Sequence, residues 1–479
     1  MKYKRLSIWV IFSGAVIVGL LGLGGGCTAA GFKMAGGVLD NRADIFNRWY
    51  PAVKWCTNGL PFLGRLKEIL DGKYIVLLQN NTELRPTGGF MGSYARLNFS
   101  QGVMTDYAVA DIYQPDGQLP GHVEPPYPVQ ESFKQGWWKL RDSNWDPDFA
   151  TAAATIKWFM EQGGEGNIKG IAAVNLELLK KWLSILGGVK VITYGETVTD
   201  KNLYSLAQSY AETRTDGDKT EKRNFLGAVG AAVMEKTRGA GVIKLARLAG
   251  MLVNELNNRQ MMLWSSDGKA QADIERMRWD GELASGWDKS GDYLYVVDTN
   301  LGANKADCCI DRGVTQDVEA SVSGATDQVI TVTRKNNNLP AQVKPPVSWG
   351  SDYNDYVRVV AAKTGVDISN VTVNGRILRR ATAEDFSIPN SQRQSESADM
   401  YNVEDKGDWQ IIGFWMYVKA GEAGEAQIHL ASRRNKQGEF KEWLVRQPGT
   451  NSLAYNLTVN GKIIKNGMIE KQQYIVTNY

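Results

Sequence analysis

The stretch YIVLLQNNTELRPTGGFMGSYARL, residues 74–97, decides the fold because it predicts two strands joined by a tight turn. The first strand is predicted over Lys73–Leu78, a short apolar run rich in β-forming residues. The turn is predicted over Glu83–Gly89, where glycine and proline exclude a helix, and Phe90–Phe99 is apolar again. A fully buried strand of this kind is typical of an α/β sheet.

Polar side chains follow the first strand directly. Residues at the carboxyl end of a strand in an α/β sheet commonly face the ligand crevice. The sequence therefore indicates four candidates for ligand contact, Asn80, Glu83, Arg85 and Thr87. A tight hairpin whose polar side chains bond to one another is the alternative interpretation, and the sequence leaves both open.

Composition and charge limit the class of protein. With 479 residues, 43% of them hydrophobic and 22% charged, the chain is long enough for roughly two or three globular domains. The net charge of +3 is close to neutral for this length, so nucleic acid is not expected as a partner.

The amino-terminal stretch predicts a membrane anchor. Lys2, Lys4 and Arg5 precede an uncharged segment, Leu6–Phe32, that is long enough to cross about 30 Å of hydrocarbon. The basic flank predicts a cytoplasmic amino terminus, a single transmembrane helix, and an extracytoplasmic location in the cell envelope for the rest of the chain. A cleaved signal peptide or lipidation at Cys27 are the alternatives.

Histidines and cysteines are too few to predict a zinc site. The two histidines, His122 and His429, have neither zinc-ligand spacing nor the setting of a Ser–His–Asp triad. Beyond the amino-terminal stretch the cysteines are Cys56, Cys308 and Cys309, which do not make a disulfide framework. They are predicted to act as small buried packing residues.

Changes in the hydrophobic pattern along the chain predict four segments: an anchor (1–32), a helical stalk (33–72), an α/β domain (73–313) and a β-sandwich domain (314–479). Strands and helices alternate in the third segment, which predicts a layered α/β/α domain with a largely buried sheet. Short alternating runs between Gly, Asn and Pro turns in the fourth segment predict an all-β sandwich.

Two helices of the α/β domain have clear ends in the sequence. Phe149–Gln162 follows Asp148, a candidate N-cap, and Leu176–Leu186 precedes the stop signal Gly187-Gly188. A long helical region is also predicted to extend to about Leu263.

Aromatic and charged residues are concentrated in WWKLRDSNWDPDF, residues 137–149. Trp138 and Trp145 are candidate ligand-binding residues because their rings could stack on sugar rings or line a channel for a prenyl chain. Core packing is the alternative role for these tryptophans.

Four segments carry a resemblance to a known family. The segments LLQNNTELRPTGGF, LRDSNWDPDF, DYLYVVDTNLGANKAD and RQPGT resemble the bacterial surface proteins catalogued as domain of unknown function 4012. The resemblance covers nearly the whole chain beyond the anchor. It implies membrane anchoring and no established activity.

A weaker similarity relates residues 73–265 to the LytR-CpsA-Psr phosphotransferases, which attach polymers carried on a lipid pyrophosphate to the cell wall. This similarity implies a role in the site for the turn arginine and for an Arg-Asp pair, here Arg85 and Arg141-Asp142. It also implies a glycine signature, Gly187-Gly188-Val189, and a basic cluster made of Arg214, Lys219 and Arg223.

The magnesium site of those enzymes is where this sequence departs from the pattern. Asn80 and Thr87 stand where the enzymes carry magnesium-binding aspartates, and a neutral amide is a poor ligand for a hard cation. Glu83, Asp142 or Asp146 could supply carboxylates instead. Magnesium is therefore expected only from the resemblance, and no residue is assigned to it.

Two functions follow as hypotheses. In the first, Arg85, Arg141, Arg214 and Arg223 converge on the pyrophosphate of a polyprenyl-linked glycan, Asp142 takes part, and a glycopolymer is transferred to an envelope acceptor. In the second, the protein is a non-catalytic scaffold that binds a surface glycan or a phosphate-bearing ligand. Structural pairing of Arg85 with Glu83 and of Arg141 with Asp142 is the alternative role for these side chains.

Overall fold

The structure is a computed structural model and describes residues 25–56, 65–117, 119, 121–212, 220–340, 350–387 and 397–479. Its α-helices are α1 (Gly25–Leu39), α2 (Ala43–Cys56), α3 (Leu66–Ile69), α4 (Tyr113–Asp116), α5 (Tyr127–Phe133), α6 (Phe149–Gln162), α7 (Leu176–Leu186), α8 (Leu203–Glu212), α9 (Thr220–Arg238), α10 (Val242–Asn257), α11 (Gly268–Arg276) and α12 (Ala383–Ser387).

The strands of the amino-terminal half are β1 (Gly72–Asn80), β2 (Phe90–Ser100), β3 (Val103–Asp111), β4 (Ile168–Asn175), β5 (Val189–Val191), β6 (Glu196–Val198), β7 (Met261–Ser265) and β8 (Asp292–Val297). Those that follow are β9 (Ile310–Ala320), β10 (Thr326–Asn336), β11 (Tyr353–Ala362), β12 (Val366–Val373), β13 (Arg376–Ile377), β14 (Arg379–Arg380), β15 (Met400–Lys406), β16 (Trp409–Val418), β17 (Ala423–Ser432), β18 (Glu439–Val445), β19 (Leu453–Val459), β20 (Lys462–Ile469) and β21 (Gln473–Asn478).

The chain divides into two compact units. The first unit comprises the described residues up to Asn80 together with 91–121 and 148–285, and the second comprises 81–90, 122–147 and 286–479. The chain therefore passes between the units more than once, whereas the predicted domains are continuous segments.

The first unit is mixed α/β, as predicted. Its five-stranded sheet has the order β3-β2-β1-β4-β7, with β1 parallel to β4 and β4 antiparallel to β7. Ile75, Val76 and Leu77 are consecutive and all buried. Because neighbouring side chains of a strand point to opposite faces, both faces of the sheet are covered.

Helix ends in the first unit follow the predicted signals. Asp148 is the N-cap of α6, its side chain accepting a hydrogen bond from the Thr151 N–H at 2.9 Å. Gly187 ends α7 in the left-handed conformation (φ 77°), which glycine adopts without steric cost.

The helical region predicted to extend to about Leu263 ends earlier. Helix α10 stops at Asn257, and MMLWS forms β7, which pairs antiparallel with β4. A short apolar run of this kind is ambiguous between helix and strand, and here the free edge of the sheet decides it.

The second unit contains the all-β carboxyl-terminal region. Two seven-stranded sheets have the orders β13-β12-β17-β10-β9-β19-β20 and β14-β15-β16-β11-β8-β18-β21. One apolar core receives side chains from both sheets, for example Val332 and Ile428 from the first and Val359 and Phe414 from the second. The two sheets therefore form a sandwich.

Strand β8 extends the sandwich toward the amino terminus. It precedes residue 314, the predicted start of the sandwich, yet pairs antiparallel with β11 and parallel with β18. The amino-acid composition does not change at β8 in a way that would mark the start of the sandwich. Only strand pairing therefore shows that β8 belongs to this sheet.

The predicted anchor falls mainly on residues 1–24, which lie outside the described residues. Within the described part of the chain, none of the helices combines the length and the apolar character needed to cross a membrane. Of the predicted stalk, Met34 and Phe46 are fully buried in the apolar core of the first unit.

The prediction that the cysteines act as buried packing residues is wrong for Cys308 and Cys309. These neighbours form a disulfide with each other, and Cys308 is exposed. They lie in a single turn of 3-10 helix, Ala306–Cys309, directly before β9. Spacing does not predict such a bond, since it closes no loop of the chain.

Candidate functional site

The turn predicted after β1 is present, and its residues 81–90 belong to the second unit. The Phe90 N–H donates to the Glu83 carbonyl oxygen at 2.8 Å, which closes the turn. Gly88 and Gly89 have φ values of 116° and 154°. Side chains with a Cβ rarely adopt this backbone region, so the glycine pair of the motif is required by the turn.

Arg85 is the buried centre of this turn, with 2% of its surface exposed. Its guanidinium donates to the Leu84 and Asn300 carbonyl oxygens and to Glu83 Oε1. Asp142 Oδ1 lies 3.5 Å from Nη2 and forms a second ion pair. Both terminal nitrogens therefore have protein acceptors, the arrangement expected of a structural arginine.

The segment DTNLGANKAD, residues 298–307, docks against the turn. Asp307 Oδ2 accepts hydrogen bonds of 2.8 Å from the Leu84 N–H and from Asn300 Nδ2. Asp307 also donates its own N–H to the Thr82 carbonyl oxygen at 3.1 Å. These bonds join the backbone of the turn to a buried carboxylate of the sandwich.

Two further arginines, Arg312 and Arg334, form ion pairs with the carboxylates next to the turn. Arg312 Nε donates to Asp298 Oδ2 at 2.6 Å, and Arg334 Nε donates to the same oxygen at 3.0 Å. Arg312 also pairs with Asp307, which accepts a bond of 2.8 Å from the Tyr353 hydroxyl. Ion pairs and hydrogen bonds thus form one continuous buried network.

The RQPGT segment closes the network from the carboxyl-terminal part of the chain. Gln447 Nε2 donates to the Asp298 carbonyl oxygen at 2.8 Å and to the Arg85 carbonyl oxygen at 3.2 Å. Gly449 has φ 83°, and a Cβ on it would lie 2.1 Å from the Gly88 carbonyl oxygen. The close approach of the two backbones therefore requires glycine at 449.

The LRDSNWDP segment and the neighbouring Trp138 add further contacts to the network. Asn144 Nδ2 donates to Thr87 Oγ1 and to the Gly89 carbonyl oxygen, both at 2.9 Å. Trp138 Nε1 donates to the Asp142 carbonyl oxygen at 3.2 Å. All four motif segments of the sequence resemblance meet in this network of the second unit. We call it the motif network.

Burial and charge act in opposite directions on the acids of the motif network. Burial raises the pKa of Glu83, against the opposing effect of Arg85. Burial also raises the pKa of Asp307. For Asp298, burial acts to raise the pKa, but the guanidinium groups of Arg334 and Arg312 lower it by more. Of these three acids, Asp298 is the one whose surroundings favour the carboxylate.

The motif network does not fit a magnesium ion. The carboxylates of Glu83 and Asp142 hold Arg85, and the Asp146 carboxylate accepts from Lys406. No group of three or more histidine, cysteine or acidic side chains that could hold a metal occurs among the residues for which placements are given. Magnesium prefers several free oxygen ligands in octahedral geometry, which these engaged carboxylates do not offer.

Arg141 shares the Asp142 carboxylate with Arg85, whereas the other remaining predicted residues lie apart from the motif network or outside the described residues. Arg141 is partly buried, and its Nε lies 3.7 Å from Asp142 Oδ2. Asn80, the last residue of β1, is half-buried. Arg223 lies in α9, but its side chain and the residues Arg214 and Lys219 are outside the described part of the chain.

The second unit also contains a pocket of about 350 Å³. We call it the aromatic pocket, because four ring side chains line it: Tyr127, Trp145, Tyr356 and Phe386. Its polar lining is provided by Arg358, Asn402 and Glu404. Of these residues only Trp145 was predicted as a ligand contact.

The rings of the aromatic pocket are held by contacts with one another. The ring centroids of Trp145 and Tyr356 are 5.7 Å apart, and those of Tyr127 and Phe386 are 4.9 Å apart at a steep angle. Such pairs are favourable beyond their buried area and fix the ring orientations. The aromatic wall is therefore largely preformed.

Arg358, on β11, is 3% exposed. Its Nη2 donates to the Trp145 carbonyl oxygen at 2.9 Å and to Thr299 Oγ1 at 3.2 Å. The guanidinium carbon lies 4.1 Å from the centroid of the Trp145 ring. Burial lowers the pKa of Arg358. Within the described residues, no carboxylate lies within ion-pair distance of it.

Sequence reasoning missed Arg358 and Tyr356 as site residues. Both lie in β11, and the signal in the sequence was an arginine inside the apolar run that follows Tyr356. A charged residue in a central strand is costly unless it has a partner or a ligand. This signal alone does not show which cavity the arginine reaches.

Comparison with curated proteins gives no match to this chain. Among solved structures, partial matches include an M1 zinc metallopeptidase from Deinococcus radiodurans, with 10% identity over 36% of this chain and 39% of that chain, and a TM-score of 0.16. Native leukotriene A4 hydrolase from Saccharomyces cerevisiae matches with 7% identity over 32% of this chain and 24% of that chain, and a TM-score of 0.17. This chain thus spans well under half of either protein, and similarities this low carry no functional argument.

A family model gives the match that agrees with the sequence motifs. It covers residues 71–211, which include the turn, the LRDSNWDP segment and β1 to β6. The resemblance identified from the sequence is thereby confirmed over residues 71–211, which match the family described as "Protein of unknown function (DUF4012)".

Proposed function

We propose that this chain is a membrane-anchored protein of the cell envelope whose second unit binds a saccharide without catalysing a reaction. The observation that carries the proposal is the aromatic pocket, with its ring-lined wall and its polar groups Arg358, Asn402 and Glu404. A volume of about 350 Å³ is within the usual range of small-ligand sites, about 300–1,000 Å³. Aromatic rings can cover the apolar face of a sugar, while amide and charged groups bond to its hydroxyls.

The motif network supports a non-catalytic role. A phosphotransferase needs positive groups that are free to bind the pyrophosphate. Arg85, the turn arginine, instead donates to Glu83 and to two carbonyl oxygens and lies near Asp142. Its role is to hold the turn against the sandwich.

The proposed location rests on the sequence. Lys2, Lys4 and Arg5 ahead of the apolar segment favour a cytoplasmic amino terminus and an extracytoplasmic bulk of the chain. Protease added outside spheroplasts should then digest the chain beyond residue 72. Protection of that region would contradict the envelope location.

Calorimetric titration of the full chain with envelope-type oligosaccharides, neutral and acidic, tests saccharide binding. We expect at least one saccharide to bind saturably and Trp145→Ala to abolish its binding, because that substitution removes one wall of the aromatic pocket. Trp137→Ala is the matched control, since Trp137 is 53% exposed in the same segment. Equal binding by the Trp145 variant and the wild type, or binding of none of the saccharides, would overturn the proposal.

Glycopolymer transfer from a polyprenyl-pyrophosphate carrier is the second candidate function. An apolar cavity of about 140 Å³ in the first unit favours it, because Tyr74, Phe99, Leu263 and Ile274 among others line it and an isoprenoid chain needs such surroundings. A layered α/β/α domain of the LytR-CpsA-Psr type would belong with this function. Release of polyprenyl phosphate from a lipid-pyrophosphate-linked saccharide in the presence of an acceptor would support transfer, and unchanged carrier would count against it.

A further inference from the structure

Arg358 differs from the other polar groups of the aromatic pocket in carrying a buried charge. It is 3% exposed, and its Nε has no acceptor among the described residues. The two acceptors of Nη2, the Trp145 carbonyl oxygen and Thr299 Oγ1, are both neutral. A buried cation with only neutral partners has lost its hydration without gaining an opposite charge.

Two acids near the aromatic pocket, Asp146 and Glu404, attract the Arg358 guanidinium through space, but neither forms an ion pair with it. Glu404 lines the pocket but is exposed, and its carboxylate is not within ion-pair distance of Arg358. Asp146 is the next acid along the chain from Trp145, and its carboxylate pairs with Lys406. The ring of Trp145 lies against the guanidinium and contributes only a cation–π contact.

We infer that the aromatic pocket takes an acidic saccharide, and that Arg358 binds the carboxylate or phosphate group carried by its sugar. This inference rests on the proposed saccharide site and names its substrate class. The guanidinium fork matches both kinds of anion with paired N–H donors. The anion supplies the direct ion pair that Arg358 lacks among the described residues, and the rings cover the body of the sugar.

Matched disaccharides separate the acidic group from the sugar. Cellobiouronic acid and cellobiose differ in one carboxylate, and a cellobiose phosphate ester tests the second kind of anion. Calorimetry on the full chain should show at least one acidic disaccharide binding about tenfold or more tighter than cellobiose, since hydrogen bonds to a charged group are stronger than those between neutral groups. Which acidic disaccharide binds tighter identifies the anion.

The outcomes distinguish this inference from the proposal beneath it. Equal affinity for cellobiose and both acidic disaccharides would overturn the inference and leave the saccharide site standing. Failure of all three to bind, together with failure of the wider panel of oligosaccharides, would overturn both. This comparison needs no variant, so it does not depend on how well a substituted protein folds.

Substitution of Arg358 gives a second, independent test. Arg358→Gln should remove the preference for the acidic disaccharides and leave the affinity for cellobiose within about threefold, because only the charge-assisted part of binding is lost. Arg433→Gln is the control, since Arg433 is an exposed arginine of the same unit. A preference for acid that survives Arg358→Gln in a folded protein would overturn the role of Arg358.

Discussion

Arg85 and Arg358 are two arginines of the second unit with nearly the same burial and opposite surroundings. Both have an Nε without an acceptor among the described residues. The terminal nitrogens of Arg85 face Glu83, Asp142 and two carbonyl oxygens. In Arg358, Nη2 donates to two neutral oxygens, and the guanidinium carbon lies over the ring of Trp145.

The difference between the two arginines separates structural from ligand-directed charge. A buried cation paired with acids stabilises the arrangement that buries it, and removing it leaves the acids unpaired. A buried cation that has no acid within ion-pair distance is stabilised when an anionic ligand binds to it. Arg85, which belongs to the most recognisable motif, is thus the structural one, and Arg358, outside every motif, is the candidate for binding.

Loss of Arg85 should have the largest effect. Arg85→Ala leaves Glu83 buried without its cation and Asp142 with Arg141 alone, and we expect the free energy of unfolding to fall by about 3–5 kcal/mol. Urea unfolding of the full chain measures this change. Arg433→Ala, at an exposed arginine, is the control and should change stability little. An Arg85 variant with wild-type stability that no longer bound a lipid pyrophosphate would reverse the comparison and favour the phosphotransferase.

Glu442 is the acidic counterpart of Arg358, because it is a buried ionisable group whose hydrogen-bond partners are neutral. Glu442 is 1% exposed and accepts bonds from Gln316 Nε2 at 2.7 Å and the Tyr455 hydroxyl at 2.8 Å. Burial raises the pKa of Glu442 from 4.5 to about 7. The folded state therefore binds this proton more tightly than the unfolded state, and the stability it contributes is full below pH 4.5 and lost as the pH rises through about 7.

Glu442→Gln should remove this pH dependence. In the wild type we expect the free energy of unfolding to fall by about 3 kcal/mol as the pH rises from 4.5 to about 7, because one pKa unit corresponds to about 1.4 kcal/mol. Urea unfolding at a series of pH values compares the variant with Glu439→Gln, a control on the same strand. A Glu442 variant that kept the wild-type loss of stability with rising pH would show that another group is responsible.

The close approach of Gly449 to Gly88 should have a smaller effect. Gly449→Ala places a Cβ against the Gly88 carbonyl oxygen and also strains a positive φ, whereas Gly461→Ala strains a similar φ (75°) with no atom within 4 Å. The Gly449 variant should therefore lose about 1–3 kcal/mol more than the Gly461 variant, the usual cost of forcing an added group into a packed site. Equal losses in thermal unfolding would mean that the RQPGT segment does not press on the turn.

Several local features could be predicted from the residues. The strand over Lys73–Leu78, the following turn and the N-cap at Asp148 are observed as expected. Each depends on interactions within a few residues along the chain, such as side-chain alternation or a cap bonded three residues on. The mixed α/β and all-β regions follow from the same local patterns.

The site was predicted only in part. Trp145 was a candidate for the aromatic pocket, but its partners Tyr356 and Arg358 come from a strand about 210 residues further along the chain. Spacing in the sequence does not encode which strands become neighbours. For the same reason the passage of residues 81–90 into the second unit was not predicted. The disulfide of Cys308 with Cys309 was missed for another reason, since a bond between adjacent residues closes no loop and has no signature in cysteine spacing.

The amino-acid sequence by itself determined the periodic elements, their caps, the glycine turn and the family resemblance of residues 71–211. Only the tertiary structure decided that four distant motif segments share one buried network and that Arg85 is neutralised within it while Arg358 is not. Local backbone preferences act over a few residues, so they can be read along the chain. The balance of a buried charge depends on every group that folding brings within a few ångströms of it, and those groups come from anywhere in the sequence.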